Sequence, residues 1–215
     1  MAAYYRQGGF FSSLPTATKN ILIINVFVLI FTKLSPAFMN SWFALYYPTS
    51  PHFHIWQPFT YMFMHGGFLH LFLNMFALVM FGSMLENQWG TRKFLLYYFV
   101  TGLGAAAVHL GVEWVRLASG AAPYIINIPT VGASGAIYGL LLGYAMLFPD
   151  SRLTLIFPPI TLSAKWWVIV WFVIELLSGI SGGGGIAHFA HLGGMIFGFI
   201  LIKYWKSKGK MYDYE

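Results

Sequence analysis

The stretch PTVGASGAIYG, residues 129–139, places Ser134 among small residues at the start of a strongly apolar run. Small residues allow two helices to approach closely, and they also leave free space around a nucleophile. Ser134 is therefore either a packing residue or a reactive one. Taken alone, a serine among glycines is more often a helix contact, so the rest of the chain has to decide.

The composition identifies a membrane protein. Of 215 residues, 58% are hydrophobic and only 8% are charged, whereas a soluble domain carries about 25% charged residues. The net charge of +6 is explained by anionic lipid headgroups and membrane topology, so we expect the lipid bilayer and no nucleic acid as a partner. The chain contains no cysteine, which excludes disulfides and thiol chemistry.

Six apolar runs approach the roughly 20 residues that a helix needs to cross the hydrocarbon layer. Only helices satisfy their own backbone in lipid, and the sequence shows no alternating strand pattern. The predicted fold class is therefore all-α, a polytopic bundle of six transmembrane helices. The predicted spans are residues 19–36, 68–86, 93–112, 132–148, 166–181 and 186–204.

The distribution of Lys and Arg predicts the orientation. If the N-terminus is cytoplasmic, ten of these residues lie on the cytoplasmic side and only Lys33 and Arg116 on the other, which is a strong positive-inside bias. We expect a cytoplasmic segment over residues 1–18, a membrane domain over 19–205 and a cytoplasmic tail over 206–215. Within the domain, residues 37–66 form an outer loop whose Trp and Tyr residues suit the membrane interface.

Polar residues inside the spans are costly, and each is a functional candidate. His70 and Asn74 are four residues apart, which places both on one face of the second helix. Ser134 begins the fourth span, and His191 lies near the outer end of the sixth. The topology therefore predicts that these four residues lie at one depth, a few residues below the outer surface.

This set of residues is suited to acyl transfer. Ser134 needs a base to become a nucleophile, and histidine is suited to that role, so His191 is the candidate base. His70 and Asn74 offer N–H donors to an oxyanion. The backbone N–H of Ser134 is available for the same purpose at the start of a helix.

An acidic third member is not evident. Glu113 is assigned to an outer loop and Glu175 to the fifth helix, and no spacing links either of them to His191. We therefore favour a two-residue Ser–His pair. Glu175 is left with three roles: lining a crevice, capping a chain of waters or facing a neighbouring helix.

Other protease classes and a metal site are disfavoured. The spans contain no pair of Asp residues, as an aspartyl protease requires, and no His-Glu dipeptide exists for a zinc HExxH site. His188 and His191 form an HxxH pair, but with no cysteine and no nearby carboxylate we expect His188 to be a loop-facing hydrogen-bonding residue. No metal and no cofactor is predicted.

The motifs resemble those of the rhomboid intramembrane serine proteases. GASG is similar to the family's GxSG motif, with Ser134 as the nucleophile, and AHLGGMIFG matches AHxxGxxxG, with His191 as the base. HLFLN matches HxxxN and gives His70 and Asn74 the oxyanion role. Three such motifs in the right order are highly specific.

The resemblance also implies roles for three further residues. It implies that His65 helps hold the outer loop, that Tyr138 packs against the base, and that Glu86 is a structural glutamate near the cytoplasmic end of the second helix. Gly194 and Gly198 are expected to let the sixth helix approach the fourth. The implied substrates are transmembrane proteins, and the compact chain resembles the bacterial six-helix type, which implies the bacterial inner membrane; the oligomeric state is left open.

One departure and two alternative functions remain. Rhomboids often carry Trp-Arg in the first outer loop, whereas this chain has Trp56-Gln57, which questions the rigidity of the loop because glutamine lacks the guanidinium fork. A catalytically inactive relative that binds membrane proteins would share the fold. A small-solute channel or transporter would need a continuous polar path, while the polar groups here cluster towards one side.

Overall fold

A computed structural model describes residues 9–155, 158–181 and 187–211. Among these residues, five helices are long and apolar enough to cross a membrane, and a sixth apolar helix is shorter. The predicted all-α polytopic bundle is confirmed. The long helices are Thr16–Leu34, Phe68–Trp89, Thr91–Ala118, Ala164–Ser181 and Ala187–Ser207.

The first half of the chain forms two spans and the loop between them, for which the outer side of the membrane stays a prediction. The second span is continuous but contains one π-helical turn, Leu78–Gly82. A 3₁₀ turn, Tyr61–Phe63, precedes it. The α-helices are α1 (Phe10–Ser13), α2 (Thr16–Leu34), α3 (Pro36–Phe43), α4 (Gln57–Thr60), α5 (Phe68–Ala77) and α6 (Ser83–Trp89).

The second half contributes the remaining spans and a short hairpin. Strands β1 (Arg152–Thr154) and β2 (Thr161–Ser163) pair antiparallel, with Leu153 opposite Leu162. The sequence did not predict these strands, because three residues are too few to show alternation. The helices are α7 (Thr91–Ala118), α8 (Ser134–Leu147), α9 (Ala164–Ser181) and α10 (Ala187–Ser207).

The third span is longer than the sequence predicted. Helix α7 continues to Ala118, so the assignment of Glu113 to an outer loop was wrong. The Glu113 side chain is buried, with Oε2 at 3.7 Å from Nε2 of His109. His109 in turn lies 2.9 Å from the hydroxyl of Thr130. These polar contacts allow the helix to continue past the predicted end at residue 112.

Helix α8 is shorter than a full span. Its 14 residues cover about 21 Å at 1.5 Å per residue, less than the roughly 30 Å of hydrocarbon. The count of six complete spans therefore stays a prediction. Because α8 begins at Ser134, this residue lies at the N-terminus of the helix.

Gln57 holds the outer loop together. Its side chain is fully buried. The amide nitrogen donates to the carbonyls of His52 at 2.7 Å and Ser41 at 3.2 Å, and Oε1 accepts from the backbone N–H of Tyr46 at 3.3 Å. Glutamine therefore connects three separate parts of the loop without a guanidinium group.

Glu86 fixes the second span to the first. Its carboxylate accepts hydrogen bonds from the backbone N–H groups of Ala17 and Thr18, both at 2.8 Å. The hydroxyls of Thr18 and Thr91 donate to it at 2.9 and 2.8 Å. A negative side chain at the N-terminus of α2 satisfies unpaired donors and suits the helix dipole.

Helix α10 packs closely against α7 and α8. A Cβ on Gly194 would lie 1.9 Å from the carbonyl oxygen of Gly135, so only glycine permits this approach to α8. Gly198 was expected to do the same, but it faces α7, where its Cβ would lie 2.4 Å from the Tyr97 hydroxyl. The two glycines therefore serve two different helix contacts.

Candidate active site

Ser134 and His191 are in direct contact. Ser134 is the first residue of α8, and His191 lies in the second turn of α10. The hydroxyl oxygen of Ser134 lies 2.8 Å from Nε2 of His191, which is hydrogen-bond distance. The contact between Gly194 and Gly135 lies beside this pair, so the close approach of the two helices sets the distance between nucleophile and candidate base.

Tyr138 lies one turn after Ser134 and covers the histidine. Its ring stacks on the imidazole of His191 with centroids 4.3 Å apart and planes inclined by 7°. Residues four apart share a helix face, which explains how one helix presents both the hydroxyl and the ring. The stacking restricts the rotation of the imidazole.

Helix α5 presents His70 and Asn74 to the same site. The Asn74 side-chain amide donates to the carbonyl of His70 at 2.8 Å. The backbone N–H of Gly66 points at Nδ1 of His70 at 3.4 Å, a long hydrogen bond in which Nδ1 accepts. A neutral His70 then carries its proton on Nε2, which makes that nitrogen a donor.

Gly132 provides the space between His70 and the serine. Its φ of +135° is one that side chains rarely adopt, and a Cβ there would lie 2.9 Å from Cε1 and 3.0 Å from Nε2 of His70. The same Cβ would lie 3.6 Å from the Ser134 hydroxyl. One glycine of the stretch 129–139 therefore keeps a gap between the serine and a donor, while Gly135 serves helix packing.

The ring of His65 packs against the ring of His70. The His65 side chain is almost completely buried, and its ring meets that of His70 edge-on at 5.0 Å. Burial, together with the neighbouring His70, lowers the pKa of His65 to about 4. His65 is therefore neutral at physiological pH.

An apolar cavity of about 990 Å³ contains these groups. One wall comes from α5 and the following π turn, and the other comes from α9, which contributes Trp167, Val168 and Trp171. Both α5 and α9 pack against α8, which also lines the cavity. The predicted site residues that line it are His70, Asn74, Ser134, Tyr138 and His191.

A carboxylate that the sequence did not link to the site lies beside His191. Glu175 of α9 is buried, and one of its oxygens accepts a hydrogen bond from the Tyr138 hydroxyl. The other lies 2.6 Å from Nδ1 of His188 and 3.1 Å from Nδ1 of His191. The expectation of no nearby carboxylate was wrong, and His188 is a helical residue that does form a hydrogen bond. The available signal was that Glu175 is an ionisable residue inside a span.

The distances within this cluster do not suit a metal ion. The candidate ligand atoms of Glu175, His188 and His191 all lie within 4.8 Å of one another. However, two ligands of a tetrahedral zinc at about 2.0 Å are separated by roughly 3.3 Å. The 2.6 Å between Glu175 and His188 is instead a short hydrogen bond.

The described residues therefore define a polytopic helical membrane protein with a serine–histidine pair in an apolar cavity. A family model described as the Rhomboid domain matches residues 52–207. This chain belongs to the rhomboid family.

Curated relatives agree with this assignment. The chain is 26% identical to Rhomboid-like protease 3 of Toxoplasma gondii over 77% of this chain and 57% of that protein. It is 31% identical to RHOMBOID-like protein 6, mitochondrial, of Arabidopsis thaliana, over 68% of this chain and 42% of the relative. It is also 31% identical to human Presenilin-associated rhomboid-like protein, mitochondrial, over 68% of this chain and 38% of the relative. The chain thus spans about two fifths to three fifths of these relatives, and the bacterial membrane stays a prediction.

Proposed function

We propose that the chain is an intramembrane serine endopeptidase that hydrolyses peptide bonds of transmembrane proteins. The observation that carries this proposal is the 2.8 Å contact between the Ser134 hydroxyl and Nε2 of His191 inside an apolar cavity. A hydroxyl within hydrogen-bond reach of a histidine is the arrangement that serine nucleophiles need.

The first step forms an acyl-enzyme. Nε2 of His191 takes the hydroxyl proton of Ser134 while the serine oxygen forms a bond to the scissile carbonyl carbon. The carbonyl oxygen becomes an oxyanion, which Nε2 of His70, the Asn74 amide and the Ser134 backbone N–H stabilise, each donor contributing about 3–4 kcal/mol. The C–N bond then breaks, and His191 passes its proton to the leaving amine.

The second step releases the new carboxylate. A water molecule attacks the ester carbonyl carbon while His191 takes a proton from that water. The second tetrahedral intermediate then collapses: the C–O bond to Ser134 breaks, and His191 returns the proton to the serine oxygen. Hydrolysis needs water at the serine, so the polar groups of the cavity have to connect to the outer side. No metal, nucleotide or organic cofactor takes part in these steps.

The cavity also suggests how a substrate helix reaches the serine. Its two walls, α5 and α9, belong to different spans and are lined mainly by apolar side chains. A transmembrane segment that leaves the lipid between them would meet Ser134 with its outer end. The bias of Lys and Arg supports an orientation with both termini in the cytoplasm.

Reconstitution into liposomes tests this function. We expect wild-type protein to cut at least one member of a panel of fluorescent transmembrane peptides that carry small residues near the outer end. Ser134→Ala and His191→Ala should not cut it, although they fold equally well. Folded wild-type protein that cuts no peptide would favour an inactive membrane-binding relative, and passage of small solutes into the same liposomes would favour a channel.

A further inference from the structure

Glu175 places a carboxylate inside a membrane-spanning helix, where an ionisable residue is expensive. Glu175 is only 5% exposed, and neither step of the proposed hydrolysis involves its carboxylate. Its neighbours on α9, including Val173 and Ile174, are apolar and exposed. The helix therefore turns a single acidic residue towards the protein interior.

The contacts of Glu175 connect α9 to both helices of the serine–histidine pair. The hydroxyl of Tyr138, on α8, donates to Oε1. On α10, Nδ1 of His188 lies 2.6 Å from Oε2, and Nδ1 of His191 lies 3.1 Å from the same oxygen. Both carboxylate oxygens thus act as acceptors, as in an ionised carboxylate.

His191 lies between Ser134 and Glu175, and this position determines how the carboxylate affects the imidazole. Its Nε2 faces the Ser134 hydroxyl at 2.8 Å, and its Nδ1 faces Glu175 at 3.1 Å without the alignment of an ordinary hydrogen bond. Such bonds are often poorly aligned before substrate binds. Nε2 accepts the serine proton only if the neutral ring carries its own proton on Nδ1. A carboxylate beside Nδ1 favours that tautomer.

We propose that Glu175 is a positioning residue that holds His191 in the Nδ1–H tautomer and stabilises the imidazolium formed when Ser134 loses its proton. This inference rests on the proposed protease function and extends its two-residue pair to a Ser–His–Glu set. The hydroxyl of Tyr138 holds the carboxylate in place, and the stacking of the same ring fixes the plane of the imidazole.

A merely structural role makes a different prediction. If Glu175 only fastened α9 to α8 and α10, its removal would lower thermal stability and alter probe binding, and losing the His188 hydrogen bond would have a similar effect. A positioning role predicts instead that the rate of the chemical step falls while binding of the probe stays unchanged. It also predicts that His188→Gln, which weakens the contacts of the carboxylate as well, leaves that rate close to the wild-type value.

Labelling kinetics with a serine-reactive fluorophosphonate separate the two roles. We expect Glu175→Gln, which keeps the shape but not the charge, to lower the maximal labelling rate kinact by about 10- to 1,000-fold, with KI changed less than about twofold. Glu175→Asp should recover part of kinact. His188→Gln, the matched control, removes one partner of the carboxylate and keeps its charge, so it should label within about threefold of wild type.

The outcomes also separate this inference from the function on which it rests. Folded wild-type protein that neither labels nor cuts would overturn both. Wild-type protein that labels, together with a Glu175→Gln variant that labels equally fast, would overturn the role of Glu175 alone. A fall in kinact that Glu175→Gln and His188→Gln share, with lower melting temperatures, would also overturn it.

A second measurement does not depend on the folding of a variant at Glu175. Nitrogen-15 NMR of wild-type protein with labelled histidines, assigned with His191→Gln, reports which ring nitrogen carries the proton. We expect the neutral ring of His191 to be protonated on Nδ1. A neutral ring protonated on Nε2 would contradict the proposal.

Discussion

Replacing Gly194 by alanine tests whether helix packing sets the geometry of the site. Gly194 touches none of the reacting groups, yet a Cβ at this position would lie 1.9 Å from the carbonyl oxygen of Gly135, the residue after Ser134. Ordinary contact begins at 3.4 Å, so α8 and α10 would have to separate by about 1.5 Å, because backbone atoms cannot turn aside as a flexible side chain does.

That separation would break the contact between nucleophile and base. The 2.8 Å between Ser134 and His191 would lengthen to about 4 Å, beyond hydrogen-bond reach. A misplacement of about 1 Å can lower a catalysed rate by roughly 100-fold, and we expect a loss of at least that size in kinact for a fluorophosphonate. The unfolding free energy should fall by only about 1–3 kcal/mol.

Gly111→Ala is the matched control. Gly111 also lies within a helix, α7, but its Cβ would have no heavy atom within 4 Å, so this variant should label at the wild-type rate. Folded Gly194→Ala protein that labels as fast as Gly111→Ala would refute the reasoning, because the pair would then tolerate a wider helix spacing.

Three further predictions concern the structural polar groups. Glu86→Gln should lower the unfolding free energy by about 2–4 kcal/mol, since one amide cannot replace a carboxylate that accepts from four donors. The control Asp150→Asn removes an exposed ion pair with Lys165 and should change the unfolding free energy by less than about 0.5 kcal/mol. Equal losses for the two variants in chemical denaturation would contradict the capping role of Glu86. Gln57→Leu should speed hydrogen exchange at the Tyr46 amide, and unchanged protection would show that the loop does not depend on this side chain. Because burial lowers the pKa of His65 to about 4 from 6.5, the folded state disfavours its protonation, so stability present above pH 6.5 should be lost as the pH falls towards 4, by about 2 kcal/mol at pH 5. His65→Gln should remove that part of the pH dependence, and an unchanged slope in acid unfolding would contradict it.

Hydrophobicity predicted the membrane helices well because the bilayer constrains their length and backbone bonding. The predicted second span, residues 68–86, compares with Phe68–Trp89, and the fifth, residues 166–181, compares with Ala164–Ser181. The larger errors occur where polar groups are satisfied inside the protein. The predicted third span ended before Glu113, whereas α7 continues past this residue, which makes a buried contact with His109.

The candidate site was predictable to the extent that its residues belong to local motifs. Ser134 and Tyr138 lie one turn apart on one helix, and His70 and Asn74 lie one turn apart on another, so helical spacing alone places each pair on one face. Glu175 could not be linked to His191 in this way. The two residues lie on different helices, and the rotation of α9 about its axis is set by packing that periodicity does not report.

The contacts of Gln57 could not be predicted for a related reason. A comparison of residue types only raised the question of loop rigidity, because glutamine lacks the charge and the five donors of arginine. The number of bonds that a side chain makes depends on the groups around it. In this loop two carbonyls and one N–H lie within reach of the buried amide.

The most direct test of the central claim is to label the protein in liposomes with a fluorophosphonate and to map the adduct by mass spectrometry. If the imidazole of His191 activates the hydroxyl that it faces, wild-type protein should carry one adduct, on Ser134, and His191→Ala should carry almost none. Folded wild-type protein with no adduct, or with an adduct on another serine that persists in Ser134→Ala, would contradict the account.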